Sequence, residues 1–127
     1  MRKSYALGVI AATAVLTMVP VASAQAVPTN VQSPGNLAGG RYESSTDTLS
    51  MWDNSEIDNV FVRLRVTNET RNDARLYTHD GSPTFNNRKD VRIPSTWRSG
   101  DRIKLSVCSV DRYDGSASCS GTATAWV

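Results

Sequence analysis

The sequence predicts an all-β protein, a small antiparallel β-sandwich, and three observations lead there. Apolar positions alternate with period two, as in Val60, Val62, Leu64 and Val66, and again in Ile103, Leu105 and Val107. Turn residues recur at short, near-regular spacing. Beyond residue 24 no stretch carries the three-to-four-residue apolar repeat of an amphipathic helix.

In chain order, the first element is an export signal. Arg2 and Lys3 precede an uncharged, Ala/Val/Leu-rich run over residues 5–21, which ends in the small-residue motif Ala22-Ser23-Ala24. That is the layout of a cleaved signal peptide over residues 1–24, with Ala24-Gln25-Ala26 as a second cleavage site. The apolar run is short for a hydrocarbon core of ~30 Å, so release is expected rather than anchoring. A secreted, extracellular protein with no membrane attachment follows. Residues 25–40 come next, holding Pro28, Pro34, Gly35, Gly39 and Gly40 but no charge and no aromatic ring. They read as a flexible N-terminal arm. Residues 41–127 form the β-sandwich domain, small enough for a single staple to matter.

Within that domain residues 60–66 and 103–107 are half-buried strands. Weaker strand patterns occupy residues 48–52, 74–78, 90–93 and 118–126. Asp53-Asn54-Ser55, residues 68–73, Asp80-Gly81-Ser82-Pro83, Ser99-Gly100 and Asp114-Gly115 separate them as turns. Cys108 and Cys119 are the only cysteines. In an exported chain they are expected to form a disulfide across the last hairpin. A two-residue turn at Asp114-Gly115 would place Cys119 opposite Val110. Direct pairing with Cys108 requires a four-residue loop over residues 112–115, with Gly115 at positive φ. The disulfide is expected to select this second register and to contribute ~2–3 kcal/mol.

Charge and residue chemistry exclude several functions. The full chain has 14 Lys+Arg against 12 Asp+Glu; Arg2 and Lys3 leave with the signal, so the remainder carries 12 of each. Net neutrality gives no general attraction to nucleic acid or to anionic membranes. The single histidine, His79, adjoins Asp80, but neighbours on a strand point to opposite faces, so the two are no ready catalytic pair. His79 reads as a surface histidine at a strand end. Asp53, Glu56 and Asp58 form an oxygen-rich loop, yet the ordered pattern of a calcium-binding loop is missing. No zinc set exists once the cysteines pair. No cofactor and no metal are expected.

Surface recognition fits the residues best. Arg63 and Arg65 share one strand face, and Arg102 and Lys104 share another. Were the two strands neighbours, four cations would form a ladder able to hold phosphate or carboxylate groups. Trp52, Tyr77, Trp97, Tyr113 and Trp126 offer a sugar-stacking platform, although filling the core is the favoured role for the tryptophans. Tyr113 falls at the expected hairpin tip and Trp97 in a loop after Pro94-Ser95-Thr96.

The leader ending in Ala22-Ser23-Ala24, the run Gly100-Asp101-Arg102-Ile103-Lys104-Leu105-Ser106-Val107-Cys108, and Asp114-Gly115-Ser116-Ala117-Ser118-Cys119 resemble small secreted actinobacterial proteins without an assigned activity. The tail is also similar to the closing hairpin of an immunoglobulin-like or fibronectin-type sandwich. The resemblance implies location and fold, with no catalytic residues to carry over. The expectation is therefore a secreted bacterial binding or accessory module, non-enzymatic, whose target is a cell-wall polymer, a glycan or another secreted protein. The rivals are a small nuclease-like hydrolase and an inhibitor presenting the loop over residues 112–116.

Overall fold

A computed structural model describes residues 27–55, 59–80 and 87–127. The expected signal segment over residues 1–24, Glu56 and Asp58 of the acidic loop, and Gly81-Ser82-Pro83 lie outside the described residues. Among those described are nine strands: β1 (Thr29–Gln32), β2 (Ala38–Glu43), β3 (Thr48–Asp53), β4 (Val60–Asn68), β5 (Asp73–His79), β6 (Asn87–Arg92), β7 (Arg102–Asp111), β8 (Ala117–Cys119) and β9 (Ala123–Trp126). There is no α-helix among them, and no helix long and apolar enough to cross a membrane.

The strands form a small antiparallel β-sandwich. One sheet runs β1-β2-β3-β6 and the other β5-β4-β7-β8, with β9 pairing β7 alongside β8. β4 and β7 have the longest apolar alternation in the sequence and take the centre of the second sheet. Their inward residues Val62, Leu64, Val66, Ile103, Leu105 and Val107 are fully buried. They meet Val31, Ala38, Tyr42, Leu49 and Met51 from the first sheet, and Trp97 closes the cluster. Full burial of such side chains contributes ~1.5–3 kcal/mol each.

The closing hairpin adopts the expected register. Cys108 faces Cys119 directly, Ser109 faces Ser118 and Val110 faces Ala117. Cys108 and Cys119 are disulfide-bonded, and Gly115 has φ 72°. Asp111 Oδ1 accepts hydrogen bonds from the N–H groups of Tyr113 and Asp114, which sets the four-residue loop.

The segment over residues 25–40 departs from the expected free arm. From Thr29 onward it supplies β1 and the start of β2, with Val31 and Ala38 in the core. Gly39 and Gly40 are packing residues. A Cβ on Gly39 would sit 2.1 Å from Trp52 Cε2, and one on Gly40 would sit 2.7 Å from Leu64 Cδ1. Trp52 thus lies flat on the outside of the first sheet, while Leu64 reaches the inside across from it. Glycine here answers to close approach and not to chain freedom, which composition alone does not distinguish.

Gly39→Ala and Gly40→Ala are each expected to cost ~1–3 kcal/mol, because a ring or a core leucine must move to admit the methyl group. Gly121→Ala, whose added Cβ meets nothing within 4 Å, is expected to be near neutral. Denaturant unfolding of the three variants measures the difference.

Candidate functional site: the outer face of the five-stranded sheet

The pairing of β4 with β7 makes the two cationic strands neighbours, as the ladder requires. Arg63 pairs with Cys108, Arg65 with Ser106 and Thr67 with Lys104. Paired residues of an antiparallel ladder project to one face. Since Val62, Leu64 and Val66 point inward, Arg63, Arg65, Arg102 and Lys104 all point outward. β5 adds Thr78 beside Arg63 and Leu76 beside Arg65. β9 adds Thr124 beside Lys104 and Trp126 beside Arg102.

The four cations are not equivalent. Glu69, just past the end of β4, lies 2.8 Å from Lys104 Nζ and 3.1 Å from Arg102 Nε. The hydrogen bond from Lys104 and the two nearby positive charges hold the Glu69 carboxyl below its usual range. Arg63 and Arg65 have no carboxylate or other hydrogen-bonding partner among the described residues. They line a depression of about 470 Å³ with Leu76, Ser106 and the disulfide Cys108–Cys119. Arg75, ion-paired with Asp73, also lines it, and Leu76, 60 % exposed, gives it an apolar side beside Arg63 and Arg65. A second depression of about 240 Å³ shares Arg65 and Ser106 and continues past Thr67 to Lys104.

The other candidate residues fall elsewhere. Trp97, considered for a binding platform, is only 5 % exposed; it caps the core and donates its Nε1–H to Asp73 at 2.8 Å. This is the core role favoured for the tryptophans from the sequence, and it removes Trp97 from the binding residues. Tyr113 is 87 % exposed in the β7–β8 loop. Of the tryptophans expected in the core only Trp97 is there; Trp126 is 59 % exposed. The Arg102 guanidinium lies 5.9 Å from the Trp126 ring centroid, a cation–π contact.

His79 is half-buried, not a surface residue. It pairs with the inward Val62, and its Nε2 is buried without a hydrogen-bond partner among the described residues. Asp80 instead forms an ion pair with Arg112, whose guanidinium also donates to the Val60 carbonyl. The inhibitor loop therefore begins with an engaged arginine. Asp53 of the acidic loop turns inward, 1 % exposed, and accepts the Ser55 N–H at 2.8 Å. Among the described residues no three possible metal ligands come together.

Two buried aspartates behave oppositely. Burial raises the pKa of Asp53, and the Ser55 N–H and the charges of His79 and Arg112 offset this incompletely. Burial also opposes ionisation of Asp101, but donors from Arg98 N–H, Arg71 and Asn68 prevail and hold it at about 2. No family model, no curated protein and no solved structure matches this chain.

These shifts give opposite pH dependences. The unfolded aspartate titrates near 3.9. Asp53 binds its proton more tightly when folded, so its stabilising share is complete below that pH and is lost as pH rises through the folded value. Asp53→Asn, which mimics the protonated form, is expected to gain stability relative to the parent as pH rises above about 4. Asp101 contributes above about 4 and loses its share as pH falls toward about 2. Asp101→Asn is expected to be destabilised at neutral pH, with the deficit closing in acid. Thermal unfolding of both variants between acid and neutral pH checks the two signs.

Proposed function

We propose that the protein is a secreted bacterial binding module, non-enzymatic, that holds an anionic cell-surface polymer on the outer face of its five-stranded sheet. The observation that carries this reading is the pair Arg63 and Arg65. They stand side by side over an open depression, without carboxylate partners among the described residues. A guanidinium binds carboxylate or phosphate through paired N–H donors, and two in a row suit a repeating anion. The export-signal layout of residues 1–24 and the Cys108–Cys119 disulfide support an extracellular setting. Burial of His79 Nε2 argues against the hydrolase alternative, which needs an accessible base.

The test is retention of residues 25–127 on insoluble peptidoglycan, with uncharged chitin and cellulose alongside. Retention on the charged polymer is expected at low salt and is expected to fall at high salt, because these contacts are solvent-exposed. Arg63→Ala combined with Arg65→Ala is expected to weaken it about tenfold, equivalent to about 1.4 kcal/mol. Arg92→Ala, on the other sheet, is expected to leave it unchanged. Equal retention on the uncharged polymers, or an unaffected double variant, would overturn the reading.

A further inference from the structure

We propose that the arginine depression and Trp126 are two ends of one track, and that the track takes an anionic glycan. Carboxylate or phosphate groups of the chain sit on Arg63 and Arg65, and one of its sugar rings stacks on Trp126. The inference rests on the anion-binding reading above and names the class of polymer.

Four observations lead there. Trp126 sits opposite Arg102 on the same face as the arginines, 59 % exposed, with its ring held by the Arg102 guanidinium. Along β7 the Trp126 row lies four residues from the Arg65 row and six from the Arg63 row, spans of about 14 and 20 Å at ~3.4 Å per residue. Hydroxyls run between them: Thr67, Ser106 and Thr122 line the middle depression with Lys104. Beyond it, at the seam where β9 meets the first sheet, Trp126 and Thr124 border a groove of about 280 Å³ closed by Thr29, Tyr42 and Ser44. Fixed cations, hydroxyls and an exposed aromatic face in one line match the anions, hydroxyls and apolar ring faces of a charged polysaccharide.

Charge supports the same ligand over nucleic acid. Among the described residues the four cations of this face meet one carboxylate, Glu69, so the face is formally positive on a chain whose residues 25–127 are neutral overall. Attraction is then local to the track. A nucleic-acid surface would interleave several aromatics with its basic residues; this face has Phe61 and Trp126 at its two ends and none between the cations.

The experiment measures binding of residues 25–127 to polygalacturonate, its methyl ester, a phosphomannan, polyglutamate and single-stranded DNA. Binding to polygalacturonate or phosphomannan is expected to be about tenfold tighter than to polyglutamate or the ester. Whichever of the two is tighter assigns carboxylate or phosphate as the anion. Trp126→Ala is expected to lose most of that preference while keeping its binding to polyglutamate. In the parent, the bound glycan is expected to shield tryptophan fluorescence from acrylamide, a protection missing in the variant. Equal binding of polygalacturonate, phosphomannan and polyglutamate, indifferent to Trp126→Ala, would overturn the glycan track and leave the anion-binding face standing. Tightest binding to DNA would overturn it in favour of nucleic acid. Binding to none of the polyanions would overturn both proposals.

Discussion

The ladder between β4 and β7 is the constraint on which the rest of the molecule depends. It runs from Val60 opposite Asp111 to Asn68 opposite Ile103. Because side chains alternate with period two, one register sends Val62, Leu64, Val66, Ile103, Leu105 and Val107 into the core and Arg63, Arg65, Arg102 and Lys104 to solvent. A slip of one residue would bury the cations and expose the core, so apolar burial enforces the register. The cationic face is thus the reverse side of the hydrophobic core. The disulfide extends the same register to a third strand, since Cys108 pairs with both Arg63 and Cys119.

Local electrostatics then divides what the ladder brings together. Glu69 follows β4 directly and folds back on Lys104 and Arg102. Exposed ion pairs of this kind add little to stability. Their effect is to leave Arg63 and Arg65 as the cations of the face that lack a carboxylate. The interior shows the same division among acids. Asp101 clasps the turn after β4, accepting from Asn68, Arg71 and the Arg98 N–H at one oxygen. Asp53 has fewer donors and keeps its proton more tightly. Burial acts on both, and the number of donors decides the outcome.

Much of this was readable in the linear chain. Strands β4 and β7 follow their period-two patterns, β3 and β5 cover the weaker patterns over residues 48–52 and 74–78, β6 begins three residues before the pattern over 90–93, and the spacing of the cysteines selected the four-residue loop of the last hairpin. The single pattern over residues 118–126 resolves into β8 and β9 with a break between them. β1 and β2 were missed because their inward positions include Ala38 and Gly40, which carry little hydrophobic signal. Trp52 lies over Gly39, and Leu64 fills the space beside Gly40. The alternation of Ala38, Gly40 and Tyr42 was the one sign of a strand there. For the site, the four cations were visible as pairs at spacing two, whereas Glu69 was not tied to them. Its contacts arise where the turn after β4 meets β7, through chain closure and not through spacing.

Side-chain period, turn chemistry and two cysteines were enough to specify an antiparallel β protein with a stapled hairpin, because each acts over a few neighbouring residues. Which cation keeps a carboxylate, which tryptophan reaches solvent and which glycine is a packing contact depend on residues distant in the chain. Trp97 and Trp126 have the same chemistry, yet one caps the core over Asp73 and the other lies open beside Arg102. Their difference comes from which sheet face and which end of the sandwich each occupies, and those positions exist once the two sheets have closed on each other.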